Sequence, residues 1–377
     1  MSCTFTPAFC RIDLAAIRRN FHRMGSPADL MPVIKSDAYG HGLLPVARVL
    51  AEEGALRFAV GTADEGAELR RAGMGQEIVP LMGCLTGDDW RTAAACGLTP
   101  LITCFDDIAA AAAAASACGA RRLPVALKCD TGMGRLGFAP EDAPALAERL
   151  RAHPALAPRL ALSHLSSVDM PTEDAYTEMQ IRRFERFLAG LRTAFPDILP
   201  SLGNSAATLG PARQRSGICR PGLALYGGDP FAGTGRELAD GSLEWAMSIA
   251  APILAVHPLR AGESVSYGRI FTAPRDMRVA VAAAGYATGY ARALSGRVSL
   301  LVRGRRVPQV GRICMSMLML DVSALPETTR GDLAWALGGP AEPGERPVDA
   351  QELAQLLDTI PYEILCLMGA LNPRRYV

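Results

Sequence analysis

Lys35 ends the apolar run Met31–Ile34 and opens the segment Lys-Ser-Asp-Ala-Tyr-Gly-His-Gly. Gly40 and Gly42 permit a tight backbone turn directly after it. A lysine at a strand end is solvated in most proteins. Held instead in a desolvated site, its pKa falls and its amine is free to form a Schiff base with a carbonyl. Asn204 and Ser205, in Ser-Leu-Gly-Asn-Ser-Ala, open a helix-like segment. Such a pair caps the helix, and the same helix start offers free N–H groups to a phosphate; residue type leaves both uses open. His164, in Leu-Ser-His-Leu, and Tyr267, in Ser-Val-Ser-Tyr-Gly, each read as structural when taken alone.

The elements that must position these residues follow from the hydrophobic pattern. Candidate strands end near Lys35, Gly61, Met82, Thr103, Lys128, Ser163, Gly203 and Arg220. Between them lie helix-like segments such as Leu43–Glu53, Ala63–Ala72, Phe105–Ala117 and Glu141–Arg151. Pro144 is compatible with the last of these only in its first turn. About eight β–α units within ~220 residues fit a (β/α)8 barrel, with a doubly wound open sheet as the alternative. The Gly-, Asp- and Pro-rich stretch Gly227–Gly241 reads as loop. Beyond it come apolar runs at Met247–Val256, Val279–Ala284 and Val298–Val302, with a hairpin turn expected at Gly304. The expected organisation is an α/β protein: a barrel over residues 11–236, then a mainly β domain over 237–377 joined by residues 1–10.

Composition narrows the function. The 377 residues are 49% hydrophobic and 20% charged, ordinary for a soluble enzyme. A net charge of +1, from 39 basic and 38 acidic side chains, gives no basis for binding nucleic acid or anionic membranes. The Ala-rich stretch Ile108–Ala120 is too short to cross a bilayer and reads as a buried or half-buried helix. No two of the ten cysteines have Cys-x-x-Cys spacing, so no metal site is expected. The first residues lack the pattern of a signal peptide, and a reducing cytoplasm is the expected setting.

Lys35–Gly42 resembles the cofactor-lysine motif of bacterial alanine racemases, a family of fold type III pyridoxal-phosphate enzymes, and the resemblance continues along the chain in family order. It implies that Lys35 holds pyridoxal 5'-phosphate. Leu127–Gly137 (LKCDTGMGRLG) resembles the second signature. There the resemblance implies a carbamylated Lys128, an anion able to clamp Arg135, which in turn faces the cofactor ring oxygen and the substrate carboxylate. His164 would lie near the pyridine ring. Asn204, Ser205 and the backbone of Gly222 and Leu223 would bind the phosphate, with hydroxyls from Tyr39 and from Tyr362 in Pro-Tyr-Glu-Ile-Leu.

Arg220, in Arg-Pro-Gly-Leu-Ala-Leu-Tyr-Gly, matches the arginine that meets the pyridine nitrogen. Arginine keeps its proton, so it hydrogen-bonds that nitrogen without protonating it. The ring is then a weaker electron sink, and side reactions such as transamination are suppressed. Racemisation needs a second acid/base on the opposite face, and by resemblance this is Tyr267. In relatives that tyrosine comes from the neighbouring subunit. So does the residue matching Met315, in Gly-Arg-Ile-Cys-Met-Ser-Met, which contacts the substrate carboxylate. The implied protein is a homodimer that interconverts L- and D-alanine and supplies D-alanine for peptidoglycan.

Two positions depart from the family pattern. Ser316 and Thr288 stand where most relatives carry Asp. The loss of two carboxylates leaves room for a lower rate or a broader substrate range, serine included. Three other readings stand beside alanine racemisation. A basic amino-acid decarboxylase would pair the pyridine nitrogen with an acid. A cofactor-carrying protein would lack the β domain and Tyr267. A weakly active paralogue is the third.

Overall fold

In the computed structural model, residues 7–119, 122–239 and 241–377 are described. Residues 1–6 of the expected N-terminal contribution, and Ala120 at the end of the Ala-rich stretch, lie outside the described residues. The chain divides into two compact units. One takes in Ile17–Ala38 and Leu43–Glu244; the other takes in the N-terminal residues to Ala16, Tyr39–Gly42 and Trp245–Val377.

The first unit is the barrel. Parallel pairing joins Arg57–Val60 to Glu77–Pro80, and joins Leu101–Ile102, Leu123–Lys128, Leu156–Leu162 and Leu199–Ser201 in that order. Backbone bonds bridge the gaps between these groups. Thr99 N donates to Ile78 O at 2.8 Å, and Ile218 N donates to Pro200 O at 2.9 Å. Parallel bridges Val33–Ala59 and Leu30–Cys219 then bring in the first and last segments, so the ring closes. Closure removes sheet edges and sends every strand's carboxyl end to one mouth.

The outer helices follow the sequence pattern. Phe105–Ala117 buries Ile108, Ala111, Ala114 and Ala115 on one face. Ala143–Arg151 carries Pro144 in its first turn, where the missing N–H costs nothing. Thr62 caps Ala63–Arg71, accepting from Glu65 N at 3.2 Å.

The second unit is built on an eight-stranded sheet. Its long strand Met247–Leu259 pairs with Phe9–Ile12, Leu333–Leu337 and Met277–Ala282. Arg374–Tyr376 lies parallel to Phe9–Ile12, so both chain ends enter this sheet. Ser299–Val302 and Arg305–Val310 form the expected hairpin. Its two turn residues, Arg303 (φ 52°) and Gly304 (φ 80°), are both left-handed, the geometry that matches the twist of paired strands. Helices Ala350–Leu357 and Pro361–Leu371 complete the unit. None of the described helices is long and apolar enough to cross a membrane.

Candidate active site

Lys35 follows the buried segment Met31–Ile34 at the barrel mouth. The backbone after it was not anticipated. Ser36, Asp37, Ala38 and Tyr39 have φ between 53° and 55°, one turn of left-handed helix. Left-handed geometry crowds Cβ against the next carbonyl and costs roughly 1–2 kcal/mol per residue, so local preference opposes the turn. Strain of this kind persists only where surrounding contacts over-determine it. Here Ala38 N donates to Ile34 O at 2.9 Å, and Asp37 Oδ1 accepts from Leu43 N at 2.6 Å. The Glu65 carboxylate accepts from Asp37 N at 3.3 Å and from Gly61 N at 2.6 Å.

Lys128 is the last residue of its strand, and His164 follows the next strand by two residues. Arg220 sits just beyond the closing bridge at Cys219 and is buried. Its Nη1 donates to Ser201 O at 2.7 Å and to Ser201 Oγ at 2.6 Å. Its Nη2 donates to Ser163 O and, at 3.4 Å, to Leu202 O, and lies 3.5 Å from His164 Nδ1. Among the described residues these bonds leave Nε–H as the uncommitted donor, and no carboxylate pairs with the guanidinium. Burial pulls Arg220 down to about 10, so it is still a cation at neutral pH.

The mouth is electropositive. Burial, and then the charges of Arg220, Lys128, Arg135 and Lys35, hold His164 well below the ordinary histidine range, so its ring is neutral. Burial, and then Arg220, bring Lys128 down to about 7; its Nζ donates to Cys129 O at 3.3 Å. Arg135 lies exposed on a loop whose base is pinned by Asp130 N to Phe138 O and Phe138 N to Lys128 O, both 2.9 Å. Within that loop Asp130 Oδ1 accepts from Gly132 N and Gly134 N.

Asn204 caps the helix Ser205–Leu209, accepting from Ala207 N at 3.0 Å, and its Nδ2 donates to Leu165 O at 3.3 Å. The capping use left open by sequence is therefore realised for its side chain. Ser205 Oγ accepts from Gly222 N at 2.9 Å and Ala224 N at 3.3 Å, so amides at the start of the turn Leu223–Tyr226 converge on one point. These two N–H groups fix the Ser205 hydroxyl to the start of that turn.

The remaining predicted residues belong to the β unit. The Tyr39 and Tyr362 rings lie 5.6 Å apart. Burial, and then Tyr362 and Cys366, push the Tyr39 phenol far up, so it stays a neutral donor. Tyr267 stands on the loop between Ser264–Val265 and Phe271–Thr272, with Ser266 (φ 66°) and Arg269 (φ 47°) left-handed on either side. Ser266 Oγ donates to Arg312 O at 2.6 Å and lies 3.3 Å from Cys314 Sγ, which ties this loop to the one bearing Met315. Ala287 N donates to Met315 O at 2.9 Å and joins a third loop. Tyr267 is 70% exposed and Met315 58%, and Ile270, Tyr286 and Met317 are exposed on the same loops.

Several residues passed over in the sequence hold the site. Buried Gln180 donates to Thr131 Oγ1 at 3.3 Å and His164 O at 3.2 Å, and accepts from Ser166 N and Oγ. Ser163 Oγ bonds Thr131 Oγ1 and Cys129 O, and Ser201 Oγ donates to Ile218 O. Ser163 was visible as the serine closing its apolar run, whereas Ser201 lies inside the run read as ending near Gly203. Thr62-Ala-Asp-Glu65 carries the spacing of a helix-start capping box. Gln180, one polar residue among many on the helix Asp174–Arg192, gave no signal.

The chain is similar to known proteins along its whole length. The family model described as alanine racemase, N-terminal domain, matches residues 12–230, and the model for the C-terminal domain matches residues 246–376. An alanine racemase of Nitratidesulfovibrio vulgaris (strain DP4) is 48% identical over 377 residues, covering 100% of this chain and 99% of the relative. The crystal structure of alanine racemase from D-cycloserine-producing Streptomyces lavendulae superposes with a TM-score of 0.89 at 34% identity, covering 99% of this chain and 98% of that one. The alanine racemase from Bartonella henselae, solved with covalently bound pyridoxal phosphate, superposes with a TM-score of 0.85 at 26% identity over 99% and 100% of the two chains. Matched in both of its parts and by a relative along its full length, the chain belongs to the alanine racemase family.

Proposed function

We propose that the protein interconverts L- and D-alanine with pyridoxal 5'-phosphate held on Lys35, and supplies D-alanine for peptidoglycan. The observation that carries this reading is the buried Arg220 guanidinium, paired with carbonyl and hydroxyl oxygens and, among the described residues, with no acid. A decarboxylase-like site would place a carboxylate there.

The residues fit the cofactor. Arg135 and Arg220 keep positive charge beside a neutral His164, which suits a phosphorylated ring. Ser205 is held to the start of the turn Leu223–Tyr226 by the Gly222 and Ala224 amides, with Asn204 alongside, and by resemblance this is where the phosphate sits. By resemblance Tyr39 and Tyr362 add hydroxyl donors. When bound, the cofactor would supply an electron sink for the α-carbon of the substrate. Arg220 would hold the pyridine nitrogen with its Nε–H while keeping its own proton, which would favour return to amino acid over transamination.

Lys35 Nζ takes the α-proton on one face, and the Tyr267 hydroxyl delivers a proton on the other. Arg135 binds the substrate carboxylate. A carbamylated Lys128 orients it, and a lysine with a pKa near 7 has the neutral amine that carbon dioxide needs. Tyr267 and Met315 serve the site of a second copy. An acid/base 70% exposed on one chain works in a water-excluded site only once covered. The exposed Met82, Leu85, Leu136 and Met170 on barrel loops offer apolar surface for that pairing. A cytoplasmic setting agrees with free cysteines throughout the described residues.

The test is incubation with L-alanine and pyridoxal phosphate in deuterated water. Optical activity should vanish as deuterium enters Cα. Release of carbon dioxide, or a yellow but inert protein, would overturn the reading.

A further inference from the structure

Glu65 lies outside the residues assigned to the reaction, yet its carboxylate is committed to the turn that carries Lys35. At the third position of a capped helix, a glutamate ordinarily reaches back to the amide of the capping residue. Thr62 does cap this helix, accepting from Glu65 N. The Glu65 oxygens go elsewhere: Oε2 to Gly61 N at 2.6 Å and Oε1 to Asp37 N at 3.3 Å. Gly61 directly follows the strand Arg57–Val60 beside the Lys35 segment, and a Cβ there would lie 3.5 Å from Lys35 Cβ and 3.0 Å from Glu65 Oε2. One carboxylate thus joins the strand end that flanks Lys35 to the second residue after Lys35. That second residue sits inside a left-handed turn which local preference resists.

We infer that Glu65 is a positioning residue for Lys35: its carboxylate clamps the left-handed turn at Asp37 to the strand end at Gly61, and this clamp sets where the Lys35 amine stands. The physical case is one of compensation. The turn is locally unfavourable, so it needs bonds from outside itself. A bond from a backbone amide to a carboxylate is charge-assisted and stronger than one to a neutral oxygen. Asp37 supplies a second restraint through Leu43 N, at the start of the next helix. Without Glu65 the turn loses its tie to the strand end at Gly61. A lysine that removes and returns a proton must be placed within a fraction of an ångström, and a displacement of about 1 Å costs on the order of 100-fold in rate. The inference rests on the reading of Lys35 as cofactor lysine.

The experiment compares Glu65→Ala, Glu65→Gln and Thr62→Ala with the parent. The first readout is amide hydrogen exchange of the cofactor-free protein over residues 36–38 and at Gly61, which requires no activity. Glu65→Ala should speed exchange there by at least ~10-fold, the loss of a charged hydrogen bond. Glu65→Gln, which keeps one acceptor and the side-chain volume, should fall between it and the parent. Thr62→Ala weakens the same helix start without touching the clamp, and should leave exchange at Asp37 unchanged. The second readout is steady-state racemisation. In Glu65→Ala, kcat should fall about 100-fold with KM little changed, while Thr62→Ala stays near the parent. Unchanged exchange at Asp37 in Glu65→Ala, or equal kcat losses in Glu65→Ala and Thr62→Ala, would overturn the inference. Borohydride reduction of the parent with pyridoxal phosphate, followed by peptide mapping, checks the underlying reading separately. A label anywhere but Lys35 sinks that reading, while the exchange data still decide whether Glu65 holds the turn.

Discussion

Nη2 of Arg220 lies 3.5 Å from Nδ1 of His164, and the imidazole beside this cation is neutral. Burial is the larger cause and Arg220 the next. With Nδ1 facing a donor, the ring proton belongs on Nε2.

This pairing has a consequence for stability. His164 titrates well below 6.5 in the folded chain and near 6.5 once unfolded. Between those values the unfolded chain binds a proton that the folded chain refuses, so stability falls as pH drops below 6.5. Urea midpoints measured from pH 7 to pH 5 should decline more steeply for the parent than for His164→Gln. Equal slopes would show that the histidine is charged in the folded state.

Lys128 offers a chemical test. With its pKa near 7, the amine is neutral in roughly half of the molecules at pH 7, against well under 1% for an ordinary lysine. Labelled carbon dioxide should therefore give a carbamate signal by carbon NMR that Lys128→Ala lacks. The signal should weaken below pH 7, where the amine protonates. Lys128→Ala should also bind alanine more weakly, through a less ordered Arg135.

Tyr267→Phe should lower racemisation by ~100-fold or more, the usual contribution of a general acid/base. Because the ring is kept and only a hydroxyl is lost, the melting temperature should change little. Co-expression with Lys35→Ala tests whether two chains share a site. Random pairing of two inactive variants should restore about a quarter of the parent rate, because half the dimers hold one intact site of two. No restoration would place Tyr267 and Lys35 of the same chain in one site.

Thr288 is occupied in its own turn: Oγ1 donates to Gly285 O at 2.9 Å and accepts from Gly285 N at 3.1 Å. Asp in its place keeps the accepting bond and restores the carboxylate of the family pattern. Ser316 is exposed beside Met315, where Asp meets no packing cost. Thr288→Asp and Ser316→Asp should each raise alanine turnover. Steady-state constants that stay put in both variants would end the idea of a weakened site.

The barrel was legible because strand ends are local events. An apolar run followed by a polar or small residue marks where a strand stops, and the runs ending near Lys35, Lys128, Ser163 and Arg220 meet this description in the structure. Parallel topology then places all of those ends at one mouth, whatever the helices between them contain. The hairpin at Arg303–Gly304 was legible for the same reason: a two-residue left-handed turn carries its own chemistry. The helices Ala350–Leu357 and Pro361–Leu371 were not singled out, because an apolar run near a β-rich region reads equally as strand or helix.

By itself, then, the sequence determined which residue types stand at the ends of the barrel strands, since each end is written within a few neighbouring positions. Tertiary structure alone decided what holds them. The left-handed turn after Lys35 runs against the preference of Ser36, Asp37, Ala38 and Tyr39, and its bonds include one from the Asp37 amide to Glu65, 28 residues further on. The direction of Arg220 is set by Ser163 and Ser201, 57 and 19 residues away. Bonds across such separations form only when the chain has closed on itself, so no local pattern announces them.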